Sequence, residues 1–245
     1  MPGIITFEMM QHNPGKLYLI PNFLDEESSE NFIPGMVSEK IKHLKYFFAE
    51  TPRQARRSLK KMHLDLPLEE LKIFTWNKKQ DPVELRNYLK ILMDGNDAGI
   101  LSDAGLPCIA DPGKEIVELA HKNNIEVIPL PGSSSIFMAL MASGMNGQQF
   151  VFHGYLPVEK KQLAVKLKEI ESEALKKNST QIFMETPYRN NHLFTILLES
   201  CKNETRICVA ADISSPAQFI KTKTVREWRS SIPDLNKRPA IFLMA

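Results

Sequence analysis

The feature that most constrains the fold is a regular alternation. Short apolar runs at residues 17–20, 46–49, 71–76, 98–101 and 125–128 are separated by stretches with helical apolar spacing at 34–44, 52–61, 81–93 and 114–123. Strands of this length, joined by helical crossovers, predict an α/β arrangement with a mostly parallel sheet. Pro34, Pro52 and Pro82 open three of the predicted helices, where a missing N–H removes no intrahelical bond. Asp81, just before Pro82, suits an N-cap.

The pattern breaks at residues 129–132. A helix is predicted at 133–143, with serine available as its cap, then a strand at 150–153 and a turn at 154–157. A charged helix at 158–177, a strand at 180–185 and a helix at 188–200 follow. Residues 206–211 and 218–224 read as an antiparallel pair, and 240–244 as a closing strand. The break divides the chain into an N-terminal α/β domain, residues 14–129, and a C-terminal α/β domain, residues 130–245, each with a mostly parallel or mixed sheet. A chain of 245 residues can bury a core for one large domain or two small ones.

Composition excludes little beyond the unusual classes. With 24% charged and 43% hydrophobic residues the chain reads as soluble and globular. No apolar run approaches the roughly 20 residues that span a bilayer, so no membrane partner is expected. Residues 1–13 lack the basic start and apolar centre of a signal peptide, which makes a cytoplasmic location the expectation. Three cysteines without a Cys-x-x-Cys pair point to free thiols. The six histidines lack ligand spacing, so no metal is expected.

Eight of the eleven glycines lie between residues 95 and 154, which concentrates ligand-permissive backbone around the predicted domain junction. The densest stretch is ILSDAGLPCIADPG, residues 100–113. Glycine allows close ligand approach and proline stiffens the loop. A loop of this kind between strand and helix is where α/β proteins hold their ligand. Neither G-x-x-x-x-G-K-S/T nor G-x-G-x-x-G is present. The loop carries Asp103 and Asp111 and no basic residue. Two carboxylates repel a pyrophosphate but suit ribose hydroxyls, an ammonium or a sulfonium. That balance favours S-adenosylmethionine over NAD or ATP. Both aspartates also suit turn capping, and the DPG unit, residues 111–113, suits a helix start, with Asp111 as its cap.

Net charge is only +2. Arg53, Arg56, Arg57, Lys60 and Lys61 nevertheless follow the i, i+3, i+4, i+7, i+8 spacing of one helix face. Such a face can seat phosphates or be a plain solvated surface beside Glu50 and Asp65.

The stretch SDAGLPCIADPG, residues 102–113, resembles the S-D-A-G-x-P-x-x-x-D-P-G signature of the tetrapyrrole methylase superfamily. It is most similar to the branch of small-subunit ribosomal RNA cytidine 2′-O-methyltransferases. Five further matches fall in order: GKLYLI at 15–20, AET at 49–51 with Arg53, PLPG at 129–132, GYLP at 154–157 and ETPYR at 185–189. The resemblance implies a two-domain α/β fold, a homodimer, and S-adenosylmethionine in the interdomain cleft. Its cofactor residues would be Asp103, Ala104, Gly105, Pro107, Ile109, Asp111, Pro112 and Gly113, acting largely through backbone groups. Ser133, Ser134 and Ser135 would lie beside them. Met184, Pro239 and Ala240 would line the adenine side, and Tyr155 would cover the cleft mouth. Exposed apolar faces on Phe47, Phe48 or Phe137 would accord with a dimer.

The departures fall mainly on the substrate side. The family's first loop, TPIGNL, is here PNFLDE, residues 21–26. EDTR becomes ETPR at 50–53, RELTK becomes ADISS at 211–215, and the closing KGE becomes KRPA at 237–240. The family's usual C-terminal extension has no counterpart. Methyl transfer is therefore better specified than its acceptor. Moving a methyl from a sulfonium to a ribose hydroxyl needs alignment and proton removal. Glu50 and Glu185 are the candidate bases, and Arg53 and Arg189 the candidate cations, while a structural Glu–Arg pair is an equal reading of the 185–189 segment. The leading function is 2′-O-methylation of small-subunit ribosomal RNA, free or within the assembled subunit. A methylase of a small, tetrapyrrole-like substrate and a non-catalytic RNA- or cofactor-binding module are the alternatives.

Overall fold

A computed structural model of the chain describes residues 13–25, 33–76 and 81–245. The acids of the first loop at positions 26, 27 and 30, and most of the N-terminal stretch read above, lie outside these residues. The chain divides into two compact units, Met1–Phe23 with Glu30–Gly132 and Leu24–Ser29 with Ser133–Ala245.

The first unit is built on β1 (Leu17–Ile20), β2 (Tyr46–Ala49), β3 (Lys72–Thr75), β4 (Ala98–Leu101) and β5 (Val127–Pro129). Its helices are α1 (Gly35–Ile41), α2 (Pro52–Lys61), α3 (Pro82–Met93) and α4 (Lys114–Lys122). The strands form one sheet in the order β3-β2-β4-β1-β5, with every pairing parallel. Side chains alternate across it as the period of two demands. Tyr18, Ile20, Phe47 and Leu101 join Val37, Ile41 and Leu59 from α1 and α2 on one face. Leu17, Phe48, Ala98 and Ile100 join Tyr88, Leu92, Ile116 and Ala120 from α3 and α4 on the other. Burial on both faces explains why these strands read as continuous apolar runs.

Phe47 and Phe48 are fully buried in this core, which corrects their reading as dimer-facing residues. The second strand is sandwiched, so both of its phenylalanines point into protein. Phe137, in the second unit, is 47% exposed.

The second unit contains α5 (Ser135–Ser143), β6 (Phe150–Tyr155), α6 (Lys160–Lys177), β7 (Thr180–Met184), α7 (Asn190–Ser200), β8 (Arg206–Ala211), β9 (Phe219–Thr224), α8 (Val225–Arg229) and β10 (Ala240–Met244). Its sheet runs β6-β7-β10-β8-β9. Only β6 and β7 pair in parallel; β10 is antiparallel to β7 and β8, and β8 is antiparallel to β9. Phe183, Val209 and Phe242 pack with α6, α7 and Trp228 of α8 on one face. Ile182, Cys208, Ala210 and Leu243 pack with Ile136 and Leu140 of α5 on the other. The three cysteines are unpaired. Among the described residues no helix is long and apolar enough to cross a membrane, and no group of three or more His, Cys, Asp and Glu could hold a metal ion.

Candidate functional site

In a parallel sheet all strands deliver their following loops to one edge. Here that edge collects residues 21–25 after β1, 50–51 after β2, 102–113 after β4 and 130–132 after β5. Strand β4 lies between β1 and β2, so its loop is flanked by the loops of both neighbours. The chain reverses its direction of winding at this point, and ligands of open α/β sheets bind at such switch points.

Side chains lock the β4 loop to both neighbours. On one side, Asn22 is buried and its Nδ2 donates to the carbonyl oxygens of Ser102 (2.8 Å) and Asp103 (3.1 Å). Its backbone N–H donates to the Gly105 carbonyl at 2.7 Å, and its Oδ1 accepts from the Phe23 N–H at 2.8 Å. On the other side, the Asp103 carboxylate accepts from the Thr51 N–H at 3.1 Å and the Thr51 hydroxyl at 2.7 Å. Ser102 Oγ closes the turn by donating to the Ala104 carbonyl at 3.0 Å. Sequence reasoning gives neither Asn22 nor Thr51 a role. The available signal was a polar residue two positions after the end of each apolar strand.

The loop itself is held in costly backbone conformations. Gly105, Cys108, Ala110 and Gly113 have φ of 70°, 67°, 64° and 135°. For the two that are not glycine this costs on the order of 1 kcal/mol each. A Cβ on Gly113 would lie 2.6 Å from Cys108 Sγ and 2.7 Å from Ile100 Cδ1, so glycine is needed for space as well as for φ. At the next loop a Cβ on Gly132 would lie 2.1 Å from Pro21 Cβ, which brings the loops after β1 and β5 into contact. Pro107 and Gly113 are buried, Asp103, Asp111 and Pro112 half-buried, and Ala104 and Ile109 exposed. Burial pushes the Cys108 thiol up to about 11, with the carboxylates of Glu115 and Asp111 adding to the shift. Asp111 is not the cap of α4. The N-cap position falls on Gly113, with no side-chain cap, because the chain needs the glycine φ to enter the helix.

Glu50 and Arg53 flank the Thr51 tie at the same sheet edge. Arg53 lies in the first turn of α2 and is exposed.

The remaining candidates belong to the second unit. Ser134 caps α5, its hydroxyl accepting from the Phe137 N–H at 3.5 Å, with Ser133 before it and Ser135 opening the helix. Tyr155 is 47% exposed and sits opposite Met184 in the β6–β7 ladder, after a bulge that follows Phe152. Met184 in turn faces Ile241, the neighbour of Ala240. Pro239 accepts from the Asp212 N–H at 2.9 Å. Glu185 and Arg189 are brought together: Arg189 Nη2 donates to Glu185 Oε1 at 2.6 Å, and the Thr186 N–H donates to the same oxygen at 2.7 Å. The Glu185 side chain is 3% exposed and that of Arg189 38%. Arg189 Nε is buried without a hydrogen-bond partner among the described residues. In the ADISS segment the Asp212 carboxylate is held by the Arg238 guanidinium at 2.5 Å, so the altered closing residues and the altered 211–215 stretch are joined.

A parallel sheet with a glycine-punctuated, carboxylate-bearing loop at its switch point defines an α/β protein of the open-sheet class, whose ligands as a rule bind at the strand ends. The comparisons with known proteins make this more specific. The model of the tetrapyrrole (corrin/porphyrin) methylases matches residues 35–228, and the chain belongs to this family. Among curated relatives, ribosomal RNA small subunit methyltransferase I of Bacillus subtilis is 33% identical over 214 residues, 87% of this chain and 68% of that protein. The proteins of the same name from Streptococcus pyogenes and Halalkalibacterium halodurans are 28% and 32% identical. The chain spans 65% and 56% of the length of those two. The crystal structure of the methyltransferase CobJ matches 94% of this chain and 94% of its own with a TM-score of 0.61 at 17% identity, a likeness of fold.

Proposed function

We propose that the protein is an S-adenosylmethionine-dependent methyltransferase that 2′-O-methylates a ribose of small-subunit ribosomal RNA. The observation that carries this reading is the β4 loop, pinned by Asn22 and Thr51 at the switch point of a parallel sheet. Family membership and the names of the relatives support the reaction and the acceptor.

The loop's chemistry fits the cofactor. Asp103 offers a half-buried carboxylate to hydroxyl or ammonium groups, and the exposed Ala104 and Ile109 offer apolar surface to a base or thioether. The absence of basic side chains between residues 102 and 113 disfavours a polyphosphate. S-adenosylmethionine supplies an electrophilic methyl group on a sulfonium that is its own leaving group.

The protein's part is alignment and proton handling. The loop of residues 103–113 holds the donor. Glu50, next to Thr51, would accept the ribose proton, and Arg53 would steady the adjoining phosphate. Glu185 acts through Arg189: the buried carboxylate holds the guanidinium, which would steady negative charge on the acceptor. Tyr155 and Met184, adjacent across the β6–β7 ladder, serve the adenine, with Ser133, Ser134, Ser135, Pro239 and Ala240 in supporting positions. A homodimer and a cytoplasmic location complete the proposal.

The test is transfer of labelled methyl from S-adenosylmethionine to small ribosomal subunits, to their naked RNA and to a tetrapyrrole panel. Label in RNA alone supports the reading. Label in a tetrapyrrole alone replaces the acceptor. Absence of S-adenosylmethionine binding by calorimetry removes the reading altogether.

A further inference from the structure

The basic stripe of α2 is left unexplained by the cofactor loop. Its structure separates it from an ordinary solvated face. The helix buries Ala55, Ser58 and Leu59, which fixes its rotation and turns Arg53, Arg56, Arg57 and Lys60 outward, all exposed. Positions 53 to 60 span about 10 Å of helix axis. That length matches about three phosphate steps of a stacked strand at roughly 3.4 Å each.

Every other α-helix that carries a lysine or arginine also carries an acid. Four lysines of α4 and α6 are paired with acids of the same or a neighbouring helix, in Lys122–Glu118, Lys160–Glu199, Lys166–Glu169 and Lys177–Glu173. Helix α2 contains no acidic residue. Among the described residues, no ion pair is formed by Arg53, Arg56 or Lys60. A net charge of +2 for the whole chain means that this stripe does not arise from a general excess of base. Concentrating Arg53, Arg56 and Lys60 on one helix face without ion pairs is unfavourable for an isolated fold. It becomes favourable when a polyanion covers the face.

The stripe also has a fixed end. Thr51, the N-cap of α2, is tied to Asp103 of the cofactor loop through two hydrogen bonds. The first turn of α2 is therefore anchored beside the loop, and the cations run outward from it.

Resting on the functional reading above, we propose that the exposed face of α2 is a docking track for the RNA phosphate backbone, leading the strand to the loop that holds the methyl donor. Arg53 marks the end nearest the reacting ribose, and Arg56 and Lys60 bind phosphates further along.

The experiment compares the unchanged protein with the double variant Arg56→Glu/Lys60→Glu and with Arg56→Lys/Lys60→Arg. The measured quantities are the KM for small-subunit RNA, the salt dependence of RNA binding and the Kd for S-adenosylmethionine. The charge reversal is expected to raise the RNA KM at least about tenfold and to flatten the log Kd against log salt slope by roughly 0.7 per lost phosphate contact. The S-adenosylmethionine Kd stays within about twofold, and the charge-conserving pair behaves as the unchanged protein. Should the reversal fail to fold by circular dichroism, Arg56→Gln/Lys60→Gln takes its place with the same expected direction. RNA methylation with an unchanged KM and salt slope in the variant overturns the track and leaves the functional reading standing. No RNA methylation by the unchanged protein overturns that reading and the track with it.

Discussion

Thr51 donates to Asp103 twice, through its backbone N–H at 3.1 Å and its hydroxyl at 2.7 Å, so one carboxylate fastens the loop after β2 to the loop after β4. Asp103 thus has a structural duty as well as its proposed ligand duty, and two variants separate them. Asp103→Ala removes both acceptors and is expected to weaken S-adenosylmethionine binding about tenfold to a hundredfold, from charge-assisted bonds of about 1.5–3 kcal/mol. Thr51→Val keeps the backbone donor and is expected to cost about 1 kcal/mol of stability with a smaller affinity change. Isothermal calorimetry on both proteins decides. Equal affinity losses would reduce Asp103 to a loop support.

Asn22 performs the same fastening on the other flank, with its side chain fully used. Asn22→Leu keeps the volume but strands the Ser102 and Asp103 carbonyls and the Phe23 N–H in a buried place. The expected loss is about 2–4 kcal/mol, read from urea unfolding, together with weaker cofactor binding. A variant as stable as the unchanged protein would show that the β1 loop does not hold the β4 loop.

How much of this was legible in the sequence depends on the residue. The strands 17–20, 46–49 and 98–101 were readable because both faces are buried and the runs are continuous. The β8–β9 pair was readable from two β-rich runs separated by turn residues. The fifth strand begins at Val127 instead of Ile125, because Ile125 is drawn back to α4 by a bond from its N–H to the Ala120 carbonyl. The sixth strand runs on through Gly154 to Tyr155, since a bulge lets Tyr155 pair with Met184. Helix α8 was missed although its capping box, Thr224 with Glu227, is written in the sequence. At the site, the glycine-rich loop announced itself by composition. Its two fasteners did not, because a buried Asn or Thr contact between distant loops leaves no local pattern.

The Cys108 thiol reports on the strained loop. With its pKa raised to about 11 by burial, and that of Cys201 to about 12, both stay protonated in the folded chain after an ordinary thiol with a value of 9.0 would ionise. The unfolded chain loses these protons first. Their contribution to stability is therefore present below pH 9 and is lost as pH rises toward about 11–12. Iodoacetamide labelling of Cys108, followed by mass spectrometry, is expected to climb about tenfold per pH unit without levelling near pH 9. A plateau at that pH would mean that the loop is open in solution.

The Glu185–Arg189 pair yields a prediction on rate. Glu185→Gln removes the charge that holds the guanidinium and leaves Arg189 to drift from its place. The expected result is a fall in kcat of about tenfold or more with the S-adenosylmethionine Kd little changed. Arg189→Lys, which keeps the charge and loses the fork, is expected to fall part of the way. Single-turnover methylation of RNA by both variants is the measurement, and unaltered rates would make the pair purely structural.

The central claim is tested most directly by the chemistry of the product. Small-subunit RNA methylated with labelled S-adenosylmethionine is hydrolysed in alkali, which cleaves at every free 2′-hydroxyl and spares a 2′-O-methylated position. The account expects the label in an alkali-resistant dinucleotide. Label released as a methylated base in a mononucleotide, or no label in RNA while S-adenosylmethionine is bound, would contradict it.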